Sequence, residues 1–457
     1  MERVLTCITG GVVPLSLLLA GIGFFCLCLW RVVAHPKRTL VGMWHAGAGQ
    51  GTSPAAAFSV ALAGTLGVGN ITGVAAALAA GGPGALFWMW VAAFLAMPVK
   101  YAEITLAGAT AVDGERRHGG AMYYIQKAFH GPAGRVLAWI FTLFCLFAML
   151  TLGGMVQSHA AAEAISGVFG VPPLAVGALL AVGVGVVLWR GADRVEPFCA
   201  RLMPLLCALF VGAALAVILS RAADLPAVLT SVLKGAFSFR AAAGGLFAST
   251  AFCALRAGFM RGLVSNEAGC GTAPIAHAAA HAKTPAQQGF WGIFEVFVDT
   301  VLLCTLTGLC VLLSGEMTAG DGTLSALSAF LPLGRPAGPL FALLVLFFAF
   351  ATLLCWAHYG GECLFFLFKK EKADRRIIPA VALSSVLGAV LAPDLLWSLT
   401  DAAVAGMTLV NLAALWRCRR IVAAETESFF TAGDKARAMA GRRPRRLFRR
   451  HAGSSGR

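Results

Sequence analysis

The sequence predicts an all-α polytopic membrane protein of about 11 transmembrane helices: a five-plus-five inverted repeat with two broken helices, preceded by one extra N-terminal helix. Three observations carry this. Of the 457 residues, 59% are hydrophobic and 12% charged, about half the charge that covers a soluble surface. Apolar stretches of spanning length recur from end to end, giving a mean hydropathy of +0.80. Two of the stretches are interrupted by glycine and small polar residues. A soluble chain of this length would need far more charged surface to cover its domains.

A helix needs about 20 apolar residues to cross a bilayer. The candidate spans are 12–31, 55–80, 84–109, 135–166, 172–189, 199–219, 241–264, 288–313, 337–368, 377–392 and 395–416. The first resembles a signal peptide, but its apolar run is too long and no small-x-small cleavage site follows, so it reads as a retained anchor. The expected organisation is an extra helix in 1–35, a first repeat of five helices over 54–220, a second over 239–417, and a basic tail over 418–457.

Orientation follows from Lys and Arg in the loops. With the N-terminus outside, 30 of them fall on the inner side and five on the outer, Lys100 lying within a span. That placement counts Arg256, Arg261 and Lys283 as inner. It puts the C-terminus in the cytoplasm of a cell (inner or plasma) membrane. From Arg417 onward the tail has 12 basic and 3 acidic residues, a composition expected to stay unfolded near anionic lipid headgroups. No aromatic platform accompanies its arginines, so nucleic acid is not an expected partner. The 13 cysteines contain no C-x-x-C, and those inside apolar runs read as small hydrophobes.

The interruptions are the informative part. Residues 64–73 read Gly-Thr-Leu-Gly-Val-Gly-Asn-Ile-Thr-Gly, and 244–251 read Gly-Gly-Leu-Phe-Ala-Ser-Thr-Ala. Non-helical backbone at membrane depth survives only inside protein or along a cavity. With the anchor set aside, the breaks fall in helices one and six of a ten-helix core. Those are equivalent positions in two inverted halves, where a mid-membrane site is expected. Glycine for close packing is the plainer explanation of one such pattern; two at equivalent places favour a site.

Seven blocks, in order, resemble the alanine/glycine:cation symporter family. They are Gly67-Val-Gly-Asn-Ile-Thr-Gly-Val; Gly81-Gly-Pro-Gly-Ala-Leu-Phe-Trp-Met-Trp with Lys100-Tyr-Ala-Glu103; Gly119-Gly-Ala-Met-Tyr-Tyr-Ile; Met155-Val-Gln157; Ser265-Asn-Glu-Ala-Gly-Cys-Gly-Thr-Ala-Pro-Ile-Ala-His277; Gly289-Phe-Trp-Gly-Ile-Phe-Glu-Val-Phe-Val-Asp-Thr300; and Phe348-Ala-Phe-Ala-Thr-Leu-Leu-Cys-Trp356. The resemblance implies a leucine-transporter-like fold that imports alanine or glycine with a cation, usually sodium. It implies no cofactor and no enzyme chemistry. Val68 and Ala351 stand where the family usually has hydroxyl side chains, and Ala248, Ser249 and Phe252 where it tends to have glycine. A proton-coupled carrier using Glu295 or Asp299, or a different small solute, therefore stays open.

The expected substrate ligands are Gly69, Asn70, Gln157, Ser249, Thr250 and Trp356, and the expected cation ligands Leu66, Gly67, Asn70 and Thr352. Half-helix N–H groups at Gly69 and Asn70 would meet the carboxylate, and the Gln157 amide could donate to it. Each has a structural alternative: Asn70 as a cap, Gln157 as an interhelical bridge, Ser249 and Thr250 bonded to their own helix, Trp356 as packing. Glu295 and Asp299, four residues apart, read as a relay or as pairs to Arg256 or another neighbour. Lys100 and Glu103 read as an ion pair, as do His159 and Glu163. His277 and His281 have metal-ligand spacing but no third ligand, and read as loop residues. Gly51 to Pro54 is a linker, not a phosphate loop. The oligomeric state is not readable.

Overall fold

A computed structural model describes residues 11–47, 52–113, 117–191, 194–237, 250–315, 322–334, 336–369 and 373–441. The helices in chain order are α1 Val13–Ala34, α2 Pro36–Trp44, α3 Pro54–Thr65, α4 Val68–Gly81, α5 Gly84–Thr110, α6 Ala121–Ala128, α7 Gly131–Phe169, α8 Pro173–Trp189, α9 Val195–Ser220 and α10 Leu225–Ala236. They continue as α11 Thr250–Asn266, α12 Ala273–Ala278, α13 Pro285–Ser314, α14 Gly322–Phe330, α15 Ala337–Phe368, α16 Ile378–Val390, α17 Pro393–Arg417 and α18 Arg419–Gly441. One two-residue hairpin, β1 Val112–Asp113 with β2 Arg117–His118, follows α5.

Among the described residues seven helices are long and apolar enough to cross a membrane, and α3 with α4 makes an eighth, bent by 64°. The remaining expected spans are helical but short: α8 with 17 residues, α16 with 13, and α11 with 17. Helix starts follow local chemistry. Pro54 and Pro285 sit in first turns where the missing N–H costs nothing. The Ser53 and Thr284 hydroxyls accept from the N–H groups of Ala56 (3.1 Å) and Gln287 (3.3 Å).

The core lies where α5 packs along α11 and α13, while α15 packs on α3, α7 and α9. Glycines permit the closest approaches: a Cβ on Gly258 would lie 2.1 Å from the Ala85 carbonyl oxygen. Widened, π-helical turns occur in α7 (Thr151–Val156) and α13 (Phe297–Cys304). Such turns recur at functional sites, and these two hold up Gln157 and contain Asp299.

Two expectations are corrected. Residues 419–441 of the tail are not unfolded but helical. Cys418, Val422, Thr426 and Phe430 form a buried i, i+4 stripe, so apolar spacing outweighs the charged average. The Thr426 hydroxyl pairs with Tyr101 of α5 at 2.8 Å, Glu427 lies 3.6 Å from Arg31, and the Arg38 guanidinium donates to the Phe430 carbonyl. Helix α18 thereby ties α1 and α2 to the bundle. Thr426→Val strands the buried Tyr101 hydroxyl and is expected to cost about 2 kcal/mol, measurable as a lower unfolding midpoint in detergent.

The second correction concerns Arg256 and Arg261. The first turns of α11 lie against Gly81, whose Cβ would meet Ala254 and Ala257. That is the end of the bundle where Arg221 donates to the Leu313 carbonyl and Trp88 to that of Ala236, the end assigned outside. On the orientation expected from the loop charges both arginines therefore belong to the outer half, and the count expected on the inner side keeps a large excess of positive charge without them.

Candidate substrate and ion site

Helix α3 ends because Leu66 leaves helical backbone (φ −77°, ψ 63°) and the Gly67 N–H turns back to the Thr65 carbonyl at 2.8 Å. The Gln157 side chain fills the gap, its Oε1 accepting the Val68 N–H at 3.0 Å. Glycine at position 67 leaves room for that amide, since a Cβ there would lie 2.5 Å from Oε1 and would push the Gln157 side chain away. The Gln157 Nε2 donates to its own Leu152 carbonyl at 3.1 Å across the widened turn. Gln157 is therefore an interhelical brace whose amide nitrogen has one N–H left over.

Gly69 and Gly73, one turn apart, face open space: a Cβ on either would meet nothing within 4 Å. Beside them Asn70, 3% exposed, donates through Nδ2 to the Asp299 carboxylate (2.7 Å) and carbonyl (3.1 Å). Among the described residues its Oδ1 has no hydrogen-bond partner. The other Asp299 oxygen accepts from the Ser265 and Thr300 hydroxyls, each at 2.7 Å.

The Thr352 hydroxyl of α15 donates to the Ala63 carbonyl at 2.8 Å, in the last turn of α3, where carbonyls lose their helical donors. Donating leaves the lone pairs of its oxygen unused. Leu66, Gly67 and Thr352 are thus brought to one α3–α15 junction. Val68 and Ala351 are buried and add no side-chain oxygen. Trp356 packs into the widened turn of α7, where a Cβ on Gly153 would lie 2.3 Å from its Cγ.

Ser249 and most of the expected second break, 244–249, lie outside the described residues, whereas Thr250 and Ala251 begin α11. Thr250 is not brought to the first break: its end of α11 adjoins Gly81, eleven residues along α4 from Asn70 and about 16 Å away by helical rise. Ser265, near the other end of α11, reaches the Asn70 network through Asp299. Within the described residues the backbone breaks again after α11, where Glu267, Gly269 and Gly271 have φ of 52°, 84° and 80°.

Lys100 and Glu103 serve that second break and do not pair with each other. The Lys100 ammonium donates to the Asn266 carbonyl at 2.7 Å and pairs with Glu295 at 3.0 Å, both side chains fully enclosed. Glu103 accepts from the Gly271 N–H (3.0 Å) and from Asn411 (2.5 Å). A cation thus faces the C-terminal carbonyl of α11 and an anion the N–H side of α12, each complementing the helix dipole it meets. Glu295 also receives His277 Nε2 at 3.2 Å, whose Nδ1 lies 2.6 Å from the Gln288 amide. Among the described residues Glu295 pairs with Lys100 and His277, and Asp299 with Asn70, Ser265 and Thr300, not with Arg256. Among the described residues no group of three or more His, Cys, Asp or Glu could hold a metal, and His281 joins Thr52 through its backbone.

Two adjoining cavities lie beside α4. One, about 360 Å³, is lined by Ala76, Ala80, Arg256, Arg261 and Asp401; the other, about 180 Å³, by Thr72, His159, Glu163, Arg261 and Trp397. Arg261 borders both and lies 4.2 Å above the Trp397 ring. The sequence contained Ser265, Asn266 and Arg261 in plain view, but only their tertiary partners show what they do.

The model of the sodium:alanine symporter family matches residues 3–441. A relative in Methanococcus maripaludis, described as the sodium/alanine symporter AgcS, is 34% identical over 385 residues, 82% of this chain and 83% of that one. The probable sodium/glutamine symporter GlnT of Bacillus subtilis is 35% identical over 377 residues, 81% of this chain and 77% of its own. Among solved structures, MhsT in complex with L-phenylalanine superposes with a TM-score of 0.56 at 15% identity, covering 81% of this chain and 89% of that one. This last likeness is one of fold.

Proposed function

Since the chain belongs to the sodium:alanine symporter family, whose members are multi-pass membrane transporters and not enzymes, we propose that it imports alanine or glycine with sodium by alternating access. The observation that carries this reading is the first break: the unpartnered, buried Asn70 oxygen stands beside open space at Gly69 and Gly73. A zwitterion that sheds its water there needs every polar group met. The Gly69–Asn70 backbone and the spare Gln157 N–H would take the carboxylate, and Trp356 would wall the side chain. Sodium, a hard cation, would take the Asn70 and Thr352 oxygens with the carbonyls at Leu66 and Gly67. The N-terminus would face outward and the C-terminus the cytoplasm.

Two observations bear on the alternatives. One relative is described as a glutamine carrier, so a longer neutral side chain is a second candidate. For proton coupling, Asp299 fits better than Glu295, because Asp299 touches Asn70 while Glu295 is held by Lys100 and His277. The test is uptake of labelled alanine, glycine and glutamine into proteoliposomes under a sodium or a proton gradient imposed separately. Sodium-driven alanine or glycine uptake is expected. Uptake driven by protons alone moves the coupling to Asp299, and no uptake of any of the three refutes the amino-acid reading.

A further inference from the structure

A cavity of about 390 Å³ opens on the flank of the bundle beside α8 and the start of α16. It is open to the surroundings, and Val182, Gly185, Val186 and Ile378 line it together with Trp189 and Arg190. Arg375, from the segment before α16, sets its guanidinium 5.7 Å from the centre of the Trp189 ring. Val182, Val186 and Trp189 are 65%, 52% and 67% exposed, although α8 is apolar along its whole length and meets no charge before Arg190.

That combination specifies the occupant. The apolar wall belongs to a membrane-embedded helix, where the surroundings are hydrocarbon and not water. What fills a groove there is an acyl chain. The charged end lies at the boundary that the loop charges assign to the inner face. A guanidinium fork matches a phosphate, and basic pockets at helix ends on that face attract anionic headgroups. An interfacial tryptophan alone would be an ordinary membrane anchor. Here it carries the Arg375 guanidinium near its ring and is followed in the chain by Arg190, beside a groove that Gly185 leaves open, where an added Cβ would lie 3.7 Å from Ile378 Cγ2.

We propose that this groove binds one anionic phospholipid of the inner leaflet, its acyl chain along Val182, Val186 and Ile378 and its phosphate between Arg190 and Arg375. The site depends on the membrane orientation and is independent of which solute the protein carries.

The full chain, purified in neutral detergent, is titrated with phosphatidylglycerol, phosphatidylcholine or inorganic phosphate while its thermal unfolding midpoint is followed. Phosphatidylglycerol is expected to raise the midpoint saturably, with one lipid retained in native mass spectra, and the other two are not. Arg190→Gln with Arg375→Gln should weaken the titration about 30-fold. Gly185→Leu fills the groove without altering charge and should abolish the effect, and it stands as a test by itself if the arginine variant is lost in folding. Equal stabilisation by phosphatidylcholine, an equal shift with phosphate alone, or an undiminished shift in Gly185→Leu would overturn the proposal.

Discussion

Lys100→Met is expected to prevent the protein from accumulating as a folded species. Methionine keeps the unbranched stem up to the ε position and removes the ammonium. Glu295, 1% exposed, then loses the ammonium at 3.0 Å, and the Asn266 carbonyl loses its donor at 2.7 Å. Breaking one half of a buried pair costs about 3–5 kcal/mol, a large part of a total stability of about 5–15 kcal/mol. Adding Glu295→Gln should restore most of the loss, because a neutral amide can still meet His277 and the charge that Lys100 paired directly is gone. Fluorescence-detected size exclusion and the unfolding midpoint compare the three proteins. A single variant as stable as the native chain would refute the charge argument. A double variant as poor as the single one would place the lesion at the Asn266 carbonyl instead.

That prediction also shows where sequence reasoning stopped. All eleven apolar stretches were readable because lipid demands length and hydropathy from each span separately, and each is mainly helical over its described part, the second apart from its break at Leu66 and Gly67. The first break was readable for the same reason: four glycines and an asparagine at mid-span have few explanations in hydrocarbon. The break after Asn266 was not. Glu267 looks like the end of a span, and the residues that make it tolerable, Lys100 and Glu103, lie on another helix. Their own spacing suggested a local pair, but the backbone they face separates them: one side chain turns to a carbonyl, the other to an N–H. The tail failed differently. Its average composition is that of an unfolded segment, yet four residues at helical spacing suffice to dock it, and spacing was the signal to weigh.

Asp299→Asn is expected to leave the protein folded and to remove its response to sodium. In the native chain the Asn70 amide points its nitrogen at Asp299 and leaves Oδ1 without a partner. The carboxylate dictates that orientation, since an anion accepts and cannot donate. With an amide at 299, the oxygen keeps the bonds from Ser265 and Thr300, because only an acceptor satisfies two hydroxyl donors there. The new amide nitrogen must then face Asn70. Asn70 rotates to present its oxygen, and the atom assigned to the cation is consumed by a hydrogen bond. The flip exchanges one unpartnered Asn70 atom for another, since Nδ2 gives up its bonds to Asp299 and takes the place of Oδ1, so the unfolding midpoint should fall modestly while the protein stays folded. Sodium-stimulated uptake should fall about 100-fold, the weight of about 2.7 kcal/mol of lost coordination. The measurement is the sodium dependence of alanine uptake beside the unfolding midpoint of the same preparation. A native sodium response in a folded Asp299→Asn protein would remove Asn70 from the cation site and leave the junction at Thr352 and Leu66 to hold the ion alone.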